Sequence, residues 1–377
     1  MRLVLDAEQQ ELRAAVRRFL ADRSPSERVR AVMGSERGHD DAVWSGLADM
    51  GVLGLVVPEE LGGAGAGHVE RSLVAEELGR ALTPAPFLAS AVLATDVLLA
   101  LGPADPDTAA ARTELLPALA AGERIGAVAA AEGRGEWDRT GGATTATERD
   151  GAAGVGGWVL DGVKTPVLAG DVADVVLVLA GTPDGPGWFA VDAGAHGLTR
   201  TRLTGLDPTR RVAELAFAAT PARRLATGDA AAVLDRVADL AAVALAAELV
   251  GVMQRAMELT VAYAAVRVQF GRPIGSYQAV KHGCADMYSA WEHAVSVVRH
   301  AAWAADHDRA ELPVAAALAQ TYVGPAAFGT ATGMVQYHGG TGYTWEHDAH
   351  LFYKRAKSAE LLLGTGHRAR LADRLGV

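Results

Sequence analysis

The chain has 377 residues, of which 50% are hydrophobic and 21% are charged, so a disordered polypeptide is excluded. At about 150 residues per domain, this length predicts two or three domains. The count of 35 basic against 45 acidic residues gives a net charge of -10, which disfavours a nucleic-acid-binding protein. Because Cys284 is the only cysteine, an intrachain disulfide and a cysteine-rich zinc site are also excluded.

The first predicted feature concerns targeting. Met1–Asp6 lacks a long apolar run, so we expect no signal peptide and a cytoplasmic protein. The most lipid-like stretch, Leu82–Leu101, is interrupted by two prolines and Asp96, whereas a membrane span needs about 20 predominantly apolar residues. We therefore expect a buried core helix there and no membrane association.

Hydrophobic periodicity predicts three domains. Residues 1–122 repeat apolar positions at helical spacing, as in Leu12, Val16 and Leu20, and predict an N-terminal helical domain. Residues 123–225 carry short strand-like segments that begin at Gly157, Asp174, Gly187 and Ala213, with an exposed loop at Gly133–Asp138. They predict a small β-barrel or sandwich.

Residues 226–377 return to the helical period and predict a four-helix bundle. The predicted helices run over about Ala231–Val268, Ser276–His307, Leu312–His338 and Ala349–Arg374, and Gly364 could break the last of them. Gly271 and Pro273 follow the first of them in the usual terminating order. The predicted fold class is therefore α+β multidomain.

Two motifs in the predicted bundle could bind a ligand. In Arg267–Ile274, followed by Gln278, arginines could grip phosphate, or could complement the helix dipole while Phe270 lies in the core. In Gln336–Trp345, three glycines could admit a ligand to bare backbone, or could simply end a helix. No strand precedes these glycines, so they are not a dinucleotide fingerprint.

Together with Trp44–Gly65, these two motifs resemble the acyl-CoA dehydrogenase family over nearly the whole chain. The resemblance implies a helical domain, a β-barrel and a four-helix bundle, with FAD bound between subunits. The positions that it assigns to FAD are Arg267, Phe270 and Gln278 toward a neighbouring subunit's FAD, Gln336, Gly339 and Gly340 near its adenosine and pyrophosphate, and Thr365.

The reaction implied by the resemblance is α,β-dehydrogenation of an acyl-CoA or acyl-carrier thioester to the trans-2-enoyl product. A carboxylate removes the α-proton, the β-carbon delivers hydride to flavin N5, and an electron-transfer flavoprotein accepts the electrons. The two positions where the family usually places the base are Leu363 and Ala241 in this chain. Neither side chain can take a proton.

Glu248 is the remaining candidate for the base, because it stands alone among apolar residues in a run that should be buried. It lies seven residues beyond Ala241, on the same helix face. The alternative is a structural glutamate that bonds to a neighbouring helix or subunit. Both interpretations remain open from the sequence.

The middle domain also departs from the family pattern. Ala131–Gly133 and Lys164–Pro166 replace the segments that usually carry the threonine and tryptophan against the flavin. The residues that would contact a flavin in the same subunit are thus replaced, whereas the Arg267–Gln278 motif toward a neighbouring subunit's flavin is retained. This combination resembles one subunit of the actinobacterial heterotetrameric enzymes. A homotetramer, a catalytically silent partner subunit and a flavin monooxygenase remain alternatives.

His338, His347 and His350 lie close together in the sequence. A zinc site needs three or four well-placed ligands, and no cysteine is available to complete one near these histidines. We therefore expect no metal site.

Overall fold

A computed structural model of the chain describes residues 4–133, 135–149, 157–225, 228–364 and 366–377. The predicted order of helical, barrel-like and helical segments is confirmed. The chain forms two compact units: a helical unit of Met1–Gly34, His68–Pro84 and Ala242–Val377, and a sheet unit of Ser35–Gly67 and Ala85–Ala241. The three-domain boundaries stay a prediction.

The described α-helices lie in the two regions, residues 1–122 and 226–377, for which the sequence predicts helical structure. In chain order they are α1 (Ala7–Arg23), α2 (Ser26–Met33), α3 (Asp41–Asp49), α4 (His68–Ala81), α5 (Thr95–Leu101), α6 (Pro106–Ala120), α7 (Ala230–Val266), α8 (Gln278–His307), α9 (Leu312–His338), α10 (Ala349–Leu361) and α11 (His367–Leu375). Local hydrogen bonds set the start of α1, where the side chains of Asp6 and Gln9 each accept from the other residue's backbone N–H in a capping box. The last predicted helix is divided into α10 and α11 near Gly364, which adopts a positive φ.

The sheet unit contains a closed, barrel-like sheet. Its strands are β1 (Gly126–Ala129), β4 (Thr145–Arg149), β5 (Gly157–Leu168), β6 (Val175–Thr182), β7 (Gly185–Asp192), β8 (Leu198–Arg202) and β9 (Val212–Leu225), while β2 (Ala131–Glu132) and β3 (Glu136–Trp137) form a separate pair. The ring closes because β7 pairs with both β6 and β9. The short β2–β3 pair corrects the predicted exposed loop over Gly133–Asp138.

Among the described residues, the helix that is long and apolar enough to cross a membrane is α7 rather than the predicted stretch Leu82–Leu101. An 18-residue window of α7 has a mean hydropathy of 1.7, which is enough to cross a membrane, but 89% of that window is buried in the structure. One such helix is weak evidence for a membrane span, because the buried core helix of a globular protein has the same length and composition. Within Leu82–Leu101 the chain forms a π-helix, Leu88–Ala94, which continues into the buried helix α5.

Helices α4 and α7 of the helical unit touch through their backbones. A Cβ atom built on Gly79 would lie 2.0 Å from the carbonyl oxygen of Glu248, and one on Gly251 would lie 1.8 Å from that of Glu76. Backbone cannot move aside as a flexible side chain can. Glycine is therefore required at both positions for this close crossing.

We predict that Gly251→Ala lowers the free energy of unfolding by about 1–3 kcal/mol or more, because the added methyl overpacks the crossing. Gly329 is the matched control, since it lies in α9 and a Cβ there would meet nothing within 4 Å. Gly329→Ala should instead stabilise by about 0.5–1 kcal/mol. Urea unfolding of the two variants measures both effects, and equal stabilities would contradict the prediction.

Candidate functional site

A short hairpin follows α7 and carries the first predicted motif. Strands β10 (Val268–Gln269) and β11 (Arg272–Pro273) pair antiparallel around the two-residue turn Phe270–Gly271. The Tyr277 hydroxyl donates to the Gln269 carbonyl at 3.1 Å, and its ring lies 4.0 Å beneath the Arg272 guanidinium. Local contacts therefore hold the hairpin in one shape, as a binding element requires.

Phe270 is exposed and conformationally strained at the tip of this hairpin. Its side chain is 92% exposed, so the alternative that places it in the core is wrong. Its φ is 53° and that of Gly271 is 79°, as a two-residue hairpin turn demands. Glycine adopts such angles freely, whereas phenylalanine pays on the order of 1–3 kcal/mol. The exposed ring of Phe270 is therefore available for a contact outside its own fold.

Arg267 is the free cation of the motif. It is exposed just beyond the end of α7, and its guanidinium makes no hydrogen bond or ion pair within the described ranges of the chain. Its backbone carbonyl accepts from the Ile274 N–H at 2.8 Å, which fixes the base of the hairpin. The forked donors of Arg267 are therefore available to an anion.

The second motif lies at the same end of the helical unit. The ring of Tyr263, on the last turn of α7, stacks on His338 at the end of α9 with the ring centroids 4.4 Å apart. A Cβ atom on Gly283, near the start of α8, would meet the Tyr337 hydroxyl. The fold thus brings Arg267, Phe270 and Gln278 to the same end as Gln336, Gly339 and Gly340.

The glycine loop, which we define as Gly339–Asp348, presents open backbone at its start. Gly339 and Gly340 are exposed, and a Cβ on either would meet nothing within 4 Å. Gly339 adopts a φ of 60°, which favours glycine. Unpaired guanidinium donors, an exposed flat ring and bare backbone are what a phosphate-containing, aromatic cofactor such as FAD requires. The residues present fit that group.

Two histidines of this region, His338 and His347, have lowered pKa values. His347 Nδ1 accepts from the Ala349 N–H at 3.1 Å, and the His347 ring packs on His338 with the centroids 4.5 Å apart. Burial lowers the pKa of both imidazoles, and their mutual repulsion when charged lowers the pKa of His338 further. A protonated His347 would lose its role as an acceptor.

We therefore predict that the protein becomes less stable as the pH is lowered. The unfolded chain protonates these imidazoles near the ordinary value of about 6.5, so the free energy of unfolding should fall as the pH drops through that value. His347→Asn can accept the same hydrogen bond without titrating, and should show a shallower decline between about pH 7 and pH 5. Scanning calorimetry against pH measures the difference, and identical profiles would contradict the prediction.

Glu248 lies elsewhere in the helical unit. It is 19 residues before Arg267 on α7, which is about 28 Å along the axis at 1.5 Å per residue. It is buried, and its Oε1 accepts from Arg355 Nη1 of α10 at 2.7 Å. Its carboxylate is thus already committed to a buried ion pair, as in the structural alternative. Its assignment as the base stays a prediction.

The two middle-domain segments that depart from the family pattern are joined to each other through Glu132 and Lys164. Lys164 Nζ, which is fully buried, donates at 2.8 Å to both Glu132 Oε1 and the Gly141 carbonyl. Burial alone would raise the pKa of Glu132, but Lys164 and the donors of Ala143 and Thr144 lower it to about 2. This carboxylate is an internal acceptor of hydrogen bonds rather than a proton acceptor for catalysis.

Three further residues were missed by sequence reasoning. Arg30 binds the Asp348 carboxylate of the glycine loop, and Tyr263 stacks on His338, which precedes the loop. Of these three residues only Asp348 carried a signal, as an N-cap residue type before α10. Thr365 lies outside the described residues. Within the described ranges, no three histidine, cysteine or acidic side chains come together to hold a metal ion.

Comparisons with known proteins show the family that this chain is similar to. The profiles described as "Acyl-CoA dehydrogenase, N-terminal domain" and "Acyl-CoA dehydrogenase, C-terminal domain" match residues 6–123 and 211–375. The chain is 38% identical over 363 residues to acyl-CoA dehydrogenase IpdE2 of Mycobacterium tuberculosis, covering 94% of this chain and 93% of that protein.

Solved structures give the same result. The ChsE4-ChsE5 complex from Mycobacterium tuberculosis matches with a TM-score of 0.88 and 31% identity, over 100% of this chain and 99% of that chain. A variant of the Tcur3481-Tcur3483 steroid acyl-CoA dehydrogenase matches with a TM-score of 0.86 and 32% identity, over 98% of each chain. The names of both structures join two differently named chains, and ChsE4-ChsE5 is named as a complex.

Proposed function

Because this chain belongs to the acyl-CoA dehydrogenase family, we propose that it takes part in α,β-dehydrogenation of an acyl thioester as a subunit that completes the FAD site of a homologous chain. The family consists of FAD-dependent oxidoreductases that act on CH–CH groups. The substrate we propose is acyl-CoA or an acyl-carrier thioester, and an electron-transfer flavoprotein is the proposed electron acceptor.

The observation that carries this proposal is the ion pair between Glu248 and Arg355. The Glu248 carboxylate already accepts a 2.7 Å charge-assisted hydrogen bond from the buried Arg355 guanidinium. A buried, hydrogen-bonded ion pair is the arrangement of a structural carboxylate rather than of a base that faces a substrate. Since Leu363 and Ala241 occupy the family's usual base positions, the proton acceptor for the reaction is better supplied by another chain.

The exposed hairpin supports the other half of the proposal. Arg267 would donate to phosphate oxygens, Phe270 would offer its flat face to a ring, and Gly339 and Gly340 would admit the nucleotide to backbone N–H groups. When bound, FAD supplies the hydride acceptor for the reaction. The protein's own contribution is binding and orientation.

Assembly with a homologous chain has support from the ChsE4-ChsE5 complex and from Tcur3481-Tcur3483, whose name also joins two chains. The matched chain of each resembles this chain over nearly its full length. A homotetramer in which each protomer supplies its own base is the competing assembly. Nothing in the described residues favours monooxygenase chemistry over dehydrogenation.

Anaerobic flavin reduction by a panel of acyl thioesters tests the role of Glu248. In the flavin-loaded assembly, Glu248→Gln should leave the reduction rate unchanged, because glutamine can still accept from Arg355. If Glu248 were the base, the same change should slow reduction by about 10²–10⁴-fold. The slower reduction would show that Glu248 of this chain is the catalytic base.

A further inference from the structure

One side chain from the N-terminal part of the helical unit holds the glycine loop. Arg30 of α2 donates from Nε and Nη2 to Asp348 Oδ1 at 2.9 and 2.7 Å, and from Nη1 to the Trp345 carbonyl at 2.7 Å. These bonds join positions more than 300 residues apart in the chain. Every nitrogen of the guanidinium is used on the loop's last four residues.

Asp348 shows that this contact shapes the loop. It occupies the N-cap position of α10, where an aspartate normally accepts from the first helical N–H groups. Its side chain makes no such bond, and His347 accepts from Ala349 instead. Asp348 has thus given up its ordinary capping role, and its carboxylate faces Arg30.

The pair is better shielded than an ordinary surface ion pair. The side chains of Arg30 and Asp348 are 20% and 27% exposed. Exposed ion pairs contribute little because solvent screens them and long side chains lose entropy, whereas a forked, partly buried arginine retains more of its interaction. We therefore expect this contact to determine where the loop lies.

Two other residues of the loop, Trp345 and His347, make further ring contacts. Trp345 stacks on His350 with the ring centroids 4.6 Å apart, and the Lys354 ammonium lies 4.8 Å from the Trp345 ring. His347 packs on His338, the last residue before Gly339. Both ends of the loop are thus fixed, and Arg30 adds hydrogen bonds to the loop from outside α9 and α10.

We propose that Arg30 is a positioning residue, which acts through Asp348 and Trp345 to hold the glycine loop where Gly339 and Gly340 present their backbone to the nucleotide of FAD. This inference rests on the proposed function for its ligand. The holding of the loop by Arg30 is testable without FAD.

The first test is hydrogen–deuterium exchange of peptides that cover residues 339–348 in the full chain without FAD. Arg30→Ala should speed exchange in this loop by about 10-fold or more, because its anchor is lost. Arg17→Ala is the matched control: Arg17 binds Glu77 in the same unit at 2.8 and 2.6 Å and makes no hydrogen bond to the loop. Its loop exchange should match the wild type.

The second test is FAD affinity in the assembly with a homologous chain. Arg30→Ala should raise the FAD dissociation constant by about 10-fold while Arg17→Ala leaves it unchanged. Asp348→Asn removes the charge with little change in shape, and should shift both readouts in the same direction even if Arg30→Ala folds poorly.

The outcomes separate the two claims. Unchanged loop exchange in both Arg30→Ala and Asp348→Asn overturns the holding role, whatever FAD does. Faster exchange with unchanged FAD affinity overturns the positioning role. If the wild-type assembly binds no FAD while exchange still rises in the variants, the proposed function fails and the holding role stands.

Discussion

Replacing Arg355 with methionine should lower the free energy of unfolding by about 3–5 kcal/mol, because the change removes the Arg355 cation from the buried Glu248 carboxylate. Both side chains are buried in the helical unit, and their hydrogen bond is 2.7 Å long. Removing one partner of such a pair costs more than the pair itself contributes. Urea denaturation followed by circular dichroism measures the loss.

The double variant Glu248→Met/Arg355→Met provides the control. Replacing both members by apolar side chains of similar volume removes the uncompensated charge, so much of the lost stability should return. A double variant no more stable than Arg355→Met would show that the ion pair is not the source of the effect. A single-variant loss below about 1 kcal/mol would show that solvent reaches Glu248 after all.

Replacing Arg267 with alanine should raise the FAD dissociation constant of the assembled protein by about 10–100-fold, because a charge-assisted hydrogen bond to phosphate contributes roughly 1.5–3 kcal/mol. The guanidinium is exposed and makes no bond within the described residues, so its removal should leave folding unaffected. Fluorescence titration of the flavin-stripped assembly measures the change.

Arg309 is the matched control for Arg267. It is also an exposed arginine, but it lies in the turn between α8 and α9, at the opposite end of these helices from the hairpin. Arg309→Ala should bind FAD as the wild type does. Equal FAD affinities for the Arg267 and Arg309 variants would show that Arg267 does not bind the flavin nucleotide. They would favour the alternative that Arg267 complements the helix dipole.

The helix and strand pattern was readable because it depends on local residue order. The predicted ends of the first two bundle helices lie within two or three residues of the ends of α7 and α8, since Gly271 and Pro273 interrupt the apolar period. Phe270 shows the limit of such reasoning. Its residue type favours the core, and only the backbone of the hairpin turns it outward.

Long-range partners could not be read from the sequence. Periodicity indicated that Glu248 is buried, yet nothing in a single sequence pairs it with Arg355, which lies 107 positions away. The same holds for Arg30 and Asp348. Which cation meets which carboxylate is decided by helix packing in three dimensions, and the order of residue types along the chain does not report it.

The flavin content of the purified chain tests the central claim most directly. We predict that the chain expressed alone is colourless, and that mixing it with a homologous acyl-CoA dehydrogenase chain containing a base glutamate yields a yellow complex with FAD at their shared interface. Absorbance at the flavin band, together with the mass of the complex, gives the stoichiometry. A chain that binds FAD alone and reduces it with an acyl thioester would contradict the account.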